Sequence, residues 1–359
     1  MGIPNRYNPK KWIGWLGRRY GGRPFQVVRK FYYDSLALGM QCYETAYLMR
    51  GRYAPRHRDS RFYDRYYSPD AEGLTDKSVR GVVCMLDGRR FHGGITDRIR
   101  GILTTYREAK KRHLPFYILW NDPFPLEDYL EPNLVDWRVA PSQLSYRKGE
   151  AFPVVIEDET NFQSRMRMEA GIRLKFPQLH FYSNADNAIG SYRELYNELF
   201  KPSPALKAKV DRHKKELGPR YWSFTFRFLN LLGDFREWER KALPDDQARA
   251  LISSVRDVML EEMKKLPEGY RVLVTADSRR FLDEAAGWDE RIYVVPGDVK
   301  NIDLLKGEYK DAWLKTFTDH RLIMDAERVY LIRTGRMYKS GFPRFAAEVG
   351  GAEFIDLHF

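Results

Sequence analysis

Four short clusters hold residue types that could do chemistry together. The first is His92, Gly93, Gly94, Ile95, Thr96, Asp97 and Arg98. A glycine pair ahead of a helix start lets backbone approach a ligand, and the unpaired first-turn N–H groups attract an anion. The second is Arg227, which closes the run Ser223 to Phe226; at a strand end its planar fork suits a diphosphate. The third is Thr275, Ala276, Asp277 and Ser278, where a strand gives way to a helix that Asp277 or Ser278 would cap. The fourth runs from Thr334 to Phe342 and places Gly335, Lys339, Ser340 and Gly341 between a strand and a helix. Repeated on successive strand ends of the second half, these groups point to a nucleotide diphosphate more than to a free nucleotide. Asp97 is either a helix cap or a base able to take a proton from a hydroxyl acceptor.

Positioning such groups takes alternating strands and helices. Val82 to Leu86 is a continuous apolar run, as in a buried parallel strand. Ile99, Ile102, Leu103, Tyr106 and Ala109 then recur at helical spacing, with Thr96 or Asp97 as the cap, and Phe116 to Trp120 forms the next strand. The polar, proline-broken stretch Asn121 to Asn133 reads as a long loop. Further strands are expected at Val154–Ile156 and Leu179–Tyr182, and a helix at Ser191–Phe200 with Tyr192, Leu195, Tyr196 and Leu199 on one face. Lys201, Pro202, Ser203 and Pro204 break the pattern and mark a domain boundary. A second series follows: strands at Trp222–Arg227, Arg271–Thr275, Arg291–Val295 and Val329–Ile332. Its helices are Gln247–Leu266, with Ala250, Leu251, Val255, Val258, Met259 and Met263 inward, then Ser278–Ala286, Trp313–Met324 and Pro343–Val349. The pattern predicts an α/β protein of two facing Rossmann-like domains, 80–204 and 205–359, with ligand in a cleft beyond the strand ends.

Composition bounds the rest. The chain has 359 residues, with no apolar run long enough for a membrane span and no secretory leader. Cys42 and Cys84 read as reduced cytoplasmic thiols, and seven scattered histidines offer no zinc set. No P-loop, dinucleotide fingerprint or serine-hydrolase elbow is present. Residues 1–79 form a basic, aromatic extension: the first 80 residues hold sixteen Lys/Arg, seven Asp/Glu and fifteen aromatics, and one helix is expected around Val27 to Leu48. Such an extension packs on the main body, lies on an anionic membrane, or, least favoured, binds nucleic acid.

The order of these motifs resembles the fucosyltransferase-like GT-B superfamily. Gly93, Gly94, Ile95, Thr96, Asp97 and Arg98 stand where bacterial alpha-1,2-fucosyltransferases have Gly-Gly-Leu-Gly-Asn-Gln. The nodulation, core alpha-1,6- and protein O-fucosyltransferases open with the same architecture. Thr225, Phe226 and Arg227 occupy their His-x-Arg, whose arginine holds the GDP-fucose diphosphate, with Leu232, Gly233 and Asp234 behind much like Arg-Gly-Asp. Val274 to Ser278, then Asp319 to Glu327 and Ser340 to Ala346, resemble the closing donor-site blocks. The blocks Pro123 to Asn133, His180 to Asn184 and Phe342 to Ala346 most resemble uncharacterised bacterial proteins encoded among capsule and surface-polysaccharide genes. The resemblance spans roughly residues 80–350. It departs at Thr225, where the family has histidine, and at Asp97 and Arg98, where it has Asn-Gln.

This resemblance implies an inverting glycosyltransferase, without metal or other cofactor, that moves fucose from GDP-fucose, or another sugar from its GDP donor, to a glycan hydroxyl. Arg227 and Asp97 would be catalytic. Gly93, Gly94, Arg98, Thr225, Arg227, Asp277, Ser278, Asp319, Ser340 and Gly341 would bind the donor, with Asp319 at the guanine edge. Asp122, Asp128, Glu131, His180 and Asn184 are acceptor-side candidates. A cytoplasmic protein at the inner face of the membrane follows, making surface polysaccharide. The missing histidine also admits a silent relative that binds nucleotide or glycan without turnover.

Overall fold

Runs of Val, Ile, Leu and Phe with apolar side chains on both faces demand a sheet covered on both sides, and the chain forms two such sheets. The structure is a computed structural model describing Ser35, Leu38, Gly39, Phe62, Arg65, Tyr66, Ser68 and residues 70–359, apart from 91, 158–160, 236–240, 301 and 303–308. The first sheet contains β1 (Gly81–Leu86), β2 (Phe116–Trp120), β4 (Ala151–Ile156) and β5 (Gln178–Ser183). Its order is β2-β1-β5-β4, with β1 and β4 both parallel to β5. Helices α1 (Ile95–Lys110) and α2 (Asn161–Gly171) supply the crossovers that parallel strands require.

The second sheet contains β7 (Tyr221–Phe226), β8 (Arg271–Ala276), β9 (Ile292–Tyr293), β10 (Arg328–Arg333) and β11 (Glu353–His358), in the order β11-β10-β7-β8-β9. Every pairing in it is parallel. The connecting helices include α5 (Asp245–Met263), α6 (Arg279–Ala285), α7 (Lys310–Met324) and α8 (Gly341–Gly350). All six residues of β7 are buried, and Phe224, Phe226, Val255, Met259, Val274 and Phe281 belong to one core.

Three expectations need correction. The stretch Asn121 to Asn133 is not all loop, because β3 (Leu130–Pro132) pairs antiparallel with β6 (Phe200–Pro202). Lys201 to Pro204 is therefore strand end and helix start: Ser203 caps α4 (Pro204–Leu217), accepting from the Leu206 N–H. Proline fits the first helical position, where its missing N–H has no partner to lose. In α5 the buried alanine is Ala248, and Ala250 faces solvent. Helices α2 and α4 and strand β11 were not anticipated, and α3 (Tyr192–Leu199) buries the four residues expected of it.

The chain divides into two compact units, and neither is one continuous segment. One comprises Met1–Met85, Thr105–Tyr117 and Val139–Asn187; the other comprises Leu86–Thr104, Ile118–Arg138 and Ala188–Phe359. The sequence pattern predicts continuous segments instead, 1–79, 80–204 and 205–359. In the first unit, Phe62 and Tyr66 of the basic extension are buried. The Tyr66 hydroxyl lies 2.9 Å from His180 Nδ1 and 2.9 Å from the Tyr182 hydroxyl. Of the helix expected at Val27 to Leu48, Ser35, Leu38 and Gly39 are helical and the remainder lies outside the described residues.

Candidate functional site

The register of two neighbouring strands builds the centre of the site. β7 and β8 run parallel with Thr225 opposite Thr275 and Phe226 opposite Ala276. The two threonine hydroxyls meet at 2.9 Å, so the Thr225 side chain has a partner within the sheet. The next residues are Arg227 and Asp277, and they form an ion pair, Nη1 to Oδ2 at 3.3 Å. Asp277 also accepts from the N–H groups of Phe228 (2.8 Å) and Leu229 (2.7 Å). Leu229 is left-handed, at φ 57°, a conformation unfavourable for leucine that this carboxylate helps to hold. Burial pushes the Asp277 carboxyl up to about 6, against the pull of Arg227 and the two N–H groups. The Arg227 guanidinium also lies 4.9 Å from the centre of the Phe235 ring.

The loop after β10 crosses this strand end, since the Tyr338 N–H donates to the Arg227 carbonyl at 2.9 Å. It delivers Ser340, whose hydroxyl caps α8 by accepting from the Phe342 N–H. Gly341 follows, and a Cβ there would stand 3.2 Å from Arg100 Nη2. The helix start and the Arg100 guanidinium are thus in close contact.

The glycine loop supplies another wall. Gly93 has φ 73°, and a Cβ on it would meet Asp97 Oδ2 at 2.8 Å, so glycine is required on both counts. Helix α1 begins at Ile95; Thr96 and Asp97 therefore lie in its first turn rather than at its cap. Asp97 is ion-paired with Arg100, one turn on.

On α7, Trp313, Thr316 and Asp319 recur every third residue and share a face. Lys315 Nζ donates to Asp319 Oδ2 at 2.5 Å. Asp319 Oδ1 is buried without a hydrogen-bond partner, as are Thr96 Oγ1 and Trp313 Nε1. Burial raises the Asp319 carboxyl above its usual range, and Lys315 opposes that rise.

These pieces line one cavity of about 250 Å³, and all belong to the second compact unit. Small-molecule clefts run to roughly 300–1,000 Å³, so the space suits part of a small ligand. Gly94, Asp97, Thr225, Arg227, Asp277, Asp319, Ser340 and Gly341 reach it as the sequence suggested. Arg100, Lys300, Trp313 and Thr316 reach it unanticipated. The i, i+3 spacing of Asp97 with Arg100, and of Trp313 with Thr316 and Asp319, carried that signal.

Other candidates have structural duties instead. Arg98 is buried, donates to the Gly93 and Asp122 carbonyls at 3.0 and 2.7 Å, and lies over the Trp120 ring; it braces the loop. Gly93 is filled by Asp97 and does not line the cavity. Ser278 is fully buried, caps α6 and donates to Asp234, so its hydroxyl has no route to a ligand. None of Asp122, Asp128, Glu131, His180 and Asn184 lines the cavity. The Asp122 carboxyl lies against Gly88, Glu131 pairs with Lys201 across β3 and β6, and Asp128 is the last residue of a short helical turn. His180 is buried in the first unit between Tyr66 and Gln178, with its ring held uncharged by burial at about 3; it is a core residue. Asn184 follows the end of β5, its N–H donating to the Ile156 carbonyl. Among the described residues, no group of three or more His, Cys, Asp or Glu comes together as a metal site.

No family model and no curated protein matches the sequence. Solved structures do match. NodZ alpha-1,6-fucosyltransferase, in a crystal soaked with GDP-fucose, superposes with a TM-score of 0.51 at 14% identity, covering 75% of this chain and 92% of that one. Fucosyltransferase NodZ from Bradyrhizobium gives 0.50 at 16% identity over the same shares. The chain has the fold of these fucosyltransferases. Its mixed α/β architecture, with two parallel sheets among helices, is the GT-B-like class that the motif order implied.

Proposed function

We propose that the protein is a glycosyltransferase that moves a sugar, fucose in the first instance, from a GDP-sugar to a glycan hydroxyl. The observation that carries this reading is the convergence of Arg227, braced by Asp277, with Arg100 and the capped start of α8 in one cavity of a protein with the NodZ fold. A departing diphosphate gains negative charge, and fixed guanidinium and N–H donors stabilise it without reorganising. Arg227 and Arg100 supply that charge, with Lys300 also lining the cavity, so the chemistry proceeds without metal. Asp97 takes the acceptor proton on the face opposite the leaving group, which inverts the anomeric centre. Its pairing with Arg100 keeps it aimed. Asp319 accepts from the guanine edge. Surface polysaccharide is the proposed acceptor class and the cytoplasmic face of the membrane the place of work; among the described residues no helix is long and apolar enough to cross a membrane.

The test is release of GDP from GDP-fucose, GDP-mannose and UDP-sugars, alone and with glycan acceptors, in buffer and in chelator. Release from GDP-fucose that survives chelation supports the reading. A strict need for Mg²⁺ or Mn²⁺ contradicts the metal-free mechanism. GDP binding with no turnover on any acceptor identifies a silent relative, a reading favoured by the Thr225 hydroxyl being spent on Thr275.

A further inference from the structure

Lys315 does not line the cavity, yet its side chain is among the most buried charged groups of the molecule, 2% exposed. Its stem passes beneath Gly297, where a Cβ would come within 3.3 Å of Lys315 Cδ; Gly297 has φ 126°, so glycine serves both the turn and the lysine. Its ammonium is spent on Oδ2 of Asp319, one turn along α7. The other oxygen, Oδ1, is buried without a partner on a residue that lines the cavity. A buried carboxylate left half-satisfied is costly, and the arrangement makes sense when a ligand completes it.

We propose that Lys315 is a positioning residue for base selection: it fixes Asp319 as an ionised acceptor whose open oxygen takes the paired N–H donors of a guanine edge. This rests on the GDP-sugar reading above and names the device that gives that site its base preference. Guanine offers N1–H and a 2-amino group to a carboxylate. Hypoxanthine lacks the amino group, and adenine presents a lone pair at N1 that a carboxylate repels. Discrimination fails if Asp319 becomes protonated, because the acid then carries its own donor. Burial drives it that way, and Lys315 restrains it. Lys209 of α4 is the other cation that acts on Asp319; Arg100, Arg227, Lys300, Asp97 and Asp277 are the charged groups lining the cavity.

The experiment is calorimetric titration of GDP, IDP and ADP into the full-length parent and into Lys315→Met, Lys315→Arg and Asp319→Asn, from about pH 6 to pH 9. A parallel ¹³C NMR titration follows the Asp319 carboxyl in the ligand-free proteins. The parent is expected to prefer GDP over IDP and ADP. Lys315→Met should lose about tenfold to a hundredfold in GDP affinity at neutral pH, regain it as the pH rises, and show the Asp319 carboxyl titrating higher. Lys315→Arg should restore the parent's profile. An equal loss at every pH, or an Asp319 titration that does not move, overturns the proposal and leaves Lys315 a structural residue. Should Lys315→Met bind nothing because it does not fold, Lys315→Arg decides: a GDP-over-IDP preference matching the parent supports the proposal, and loss of that preference in a folded protein refutes it. If Asp319→Asn binds GDP like the parent, the guanine contact itself is wrong, and that outcome is separable from a failure of Lys315 alone.

Discussion

At the scale of single residues, Arg227 carries the most testable weight. Arg227→Ala should lower GDP affinity about a hundredfold and abolish release of GDP from GDP-fucose, measured by titration and by product assay. The fold should survive, because Asp277 still accepts two backbone N–H groups. Asp277 itself should report on pH. Its folded-state pKa, about 6, stands above the unfolded carboxylate value, so the folded protein holds the proton more tightly and this group's contribution to stability is lost as pH rises from about 4 through 6. Melting curves of Asp277→Asn and the parent across that range should show the parent's relative stability declining with pH; a relative gain with pH would refute the assignment. Arg227 was legible in the sequence because a cation closing a buried strand has few structural uses. Arg98 and His180 misled because a polar residue beside a glycine loop or within a strand looks the same whether it meets a ligand or closes a hydrogen-bond network. Only their partners, Gly93, Asp122, Tyr66 and Gln178, separate the two cases.

At the scale of elements, strands were easier to find than helix starts. Continuous apolar runs fixed β1, β7, β8 and β10 closely, since a doubly covered strand tolerates few other sequences. The start of α4 was hidden in Lys201 to Pro204, where serine and proline serve a turn and a capped helix equally well. The cavity depends on α7 and α8 packing at their far ends. A Cβ at Gly350 would stand 1.8 Å from the Met324 carbonyl oxygen, which as backbone cannot move aside. Gly350→Ala should therefore cost at least about 2 kcal/mol and lower the melting temperature by roughly 4–8 °C. It should also weaken GDP binding, because Asp319 and Ser340 sit on the two helices forced apart. An unchanged melt would show that this contact does not set their spacing.

At the scale of the whole chain, the basic extension helps to build the first unit. Its last part is core: Phe62 and Tyr66 are buried, Leu74 N–H donates to Glu150, and Tyr146 N–H donates to the Glu72 carbonyl. Truncation through residue 75 should unfold the first unit by stripping His180 and Tyr182 of Tyr66. Truncation through residue 60 should reduce sedimentation with anionic vesicles, an effect weakened by salt. Equal vesicle binding with and without residues 1–60 would remove the membrane role. Composition reveals the charge surplus but not the burial of Phe62 and Tyr66, because aromatic residues suit a buried cluster and a lipid interface alike.

The second compact unit takes Leu86–Thr104 and Ile118–Arg138 from early in the chain and joins them to everything after residue 188. During synthesis the glycine loop leaves the ribosome long before Ser340 and Gly341, the residues it shares a cavity with. The cavity is thus complete only once Ser340 and Gly341 have been made. No cut at the Lys201 to Pro204 segment yields a half that owns the cavity, so a nascent or severed chain lacks it until the glycine loop and α8 are both present.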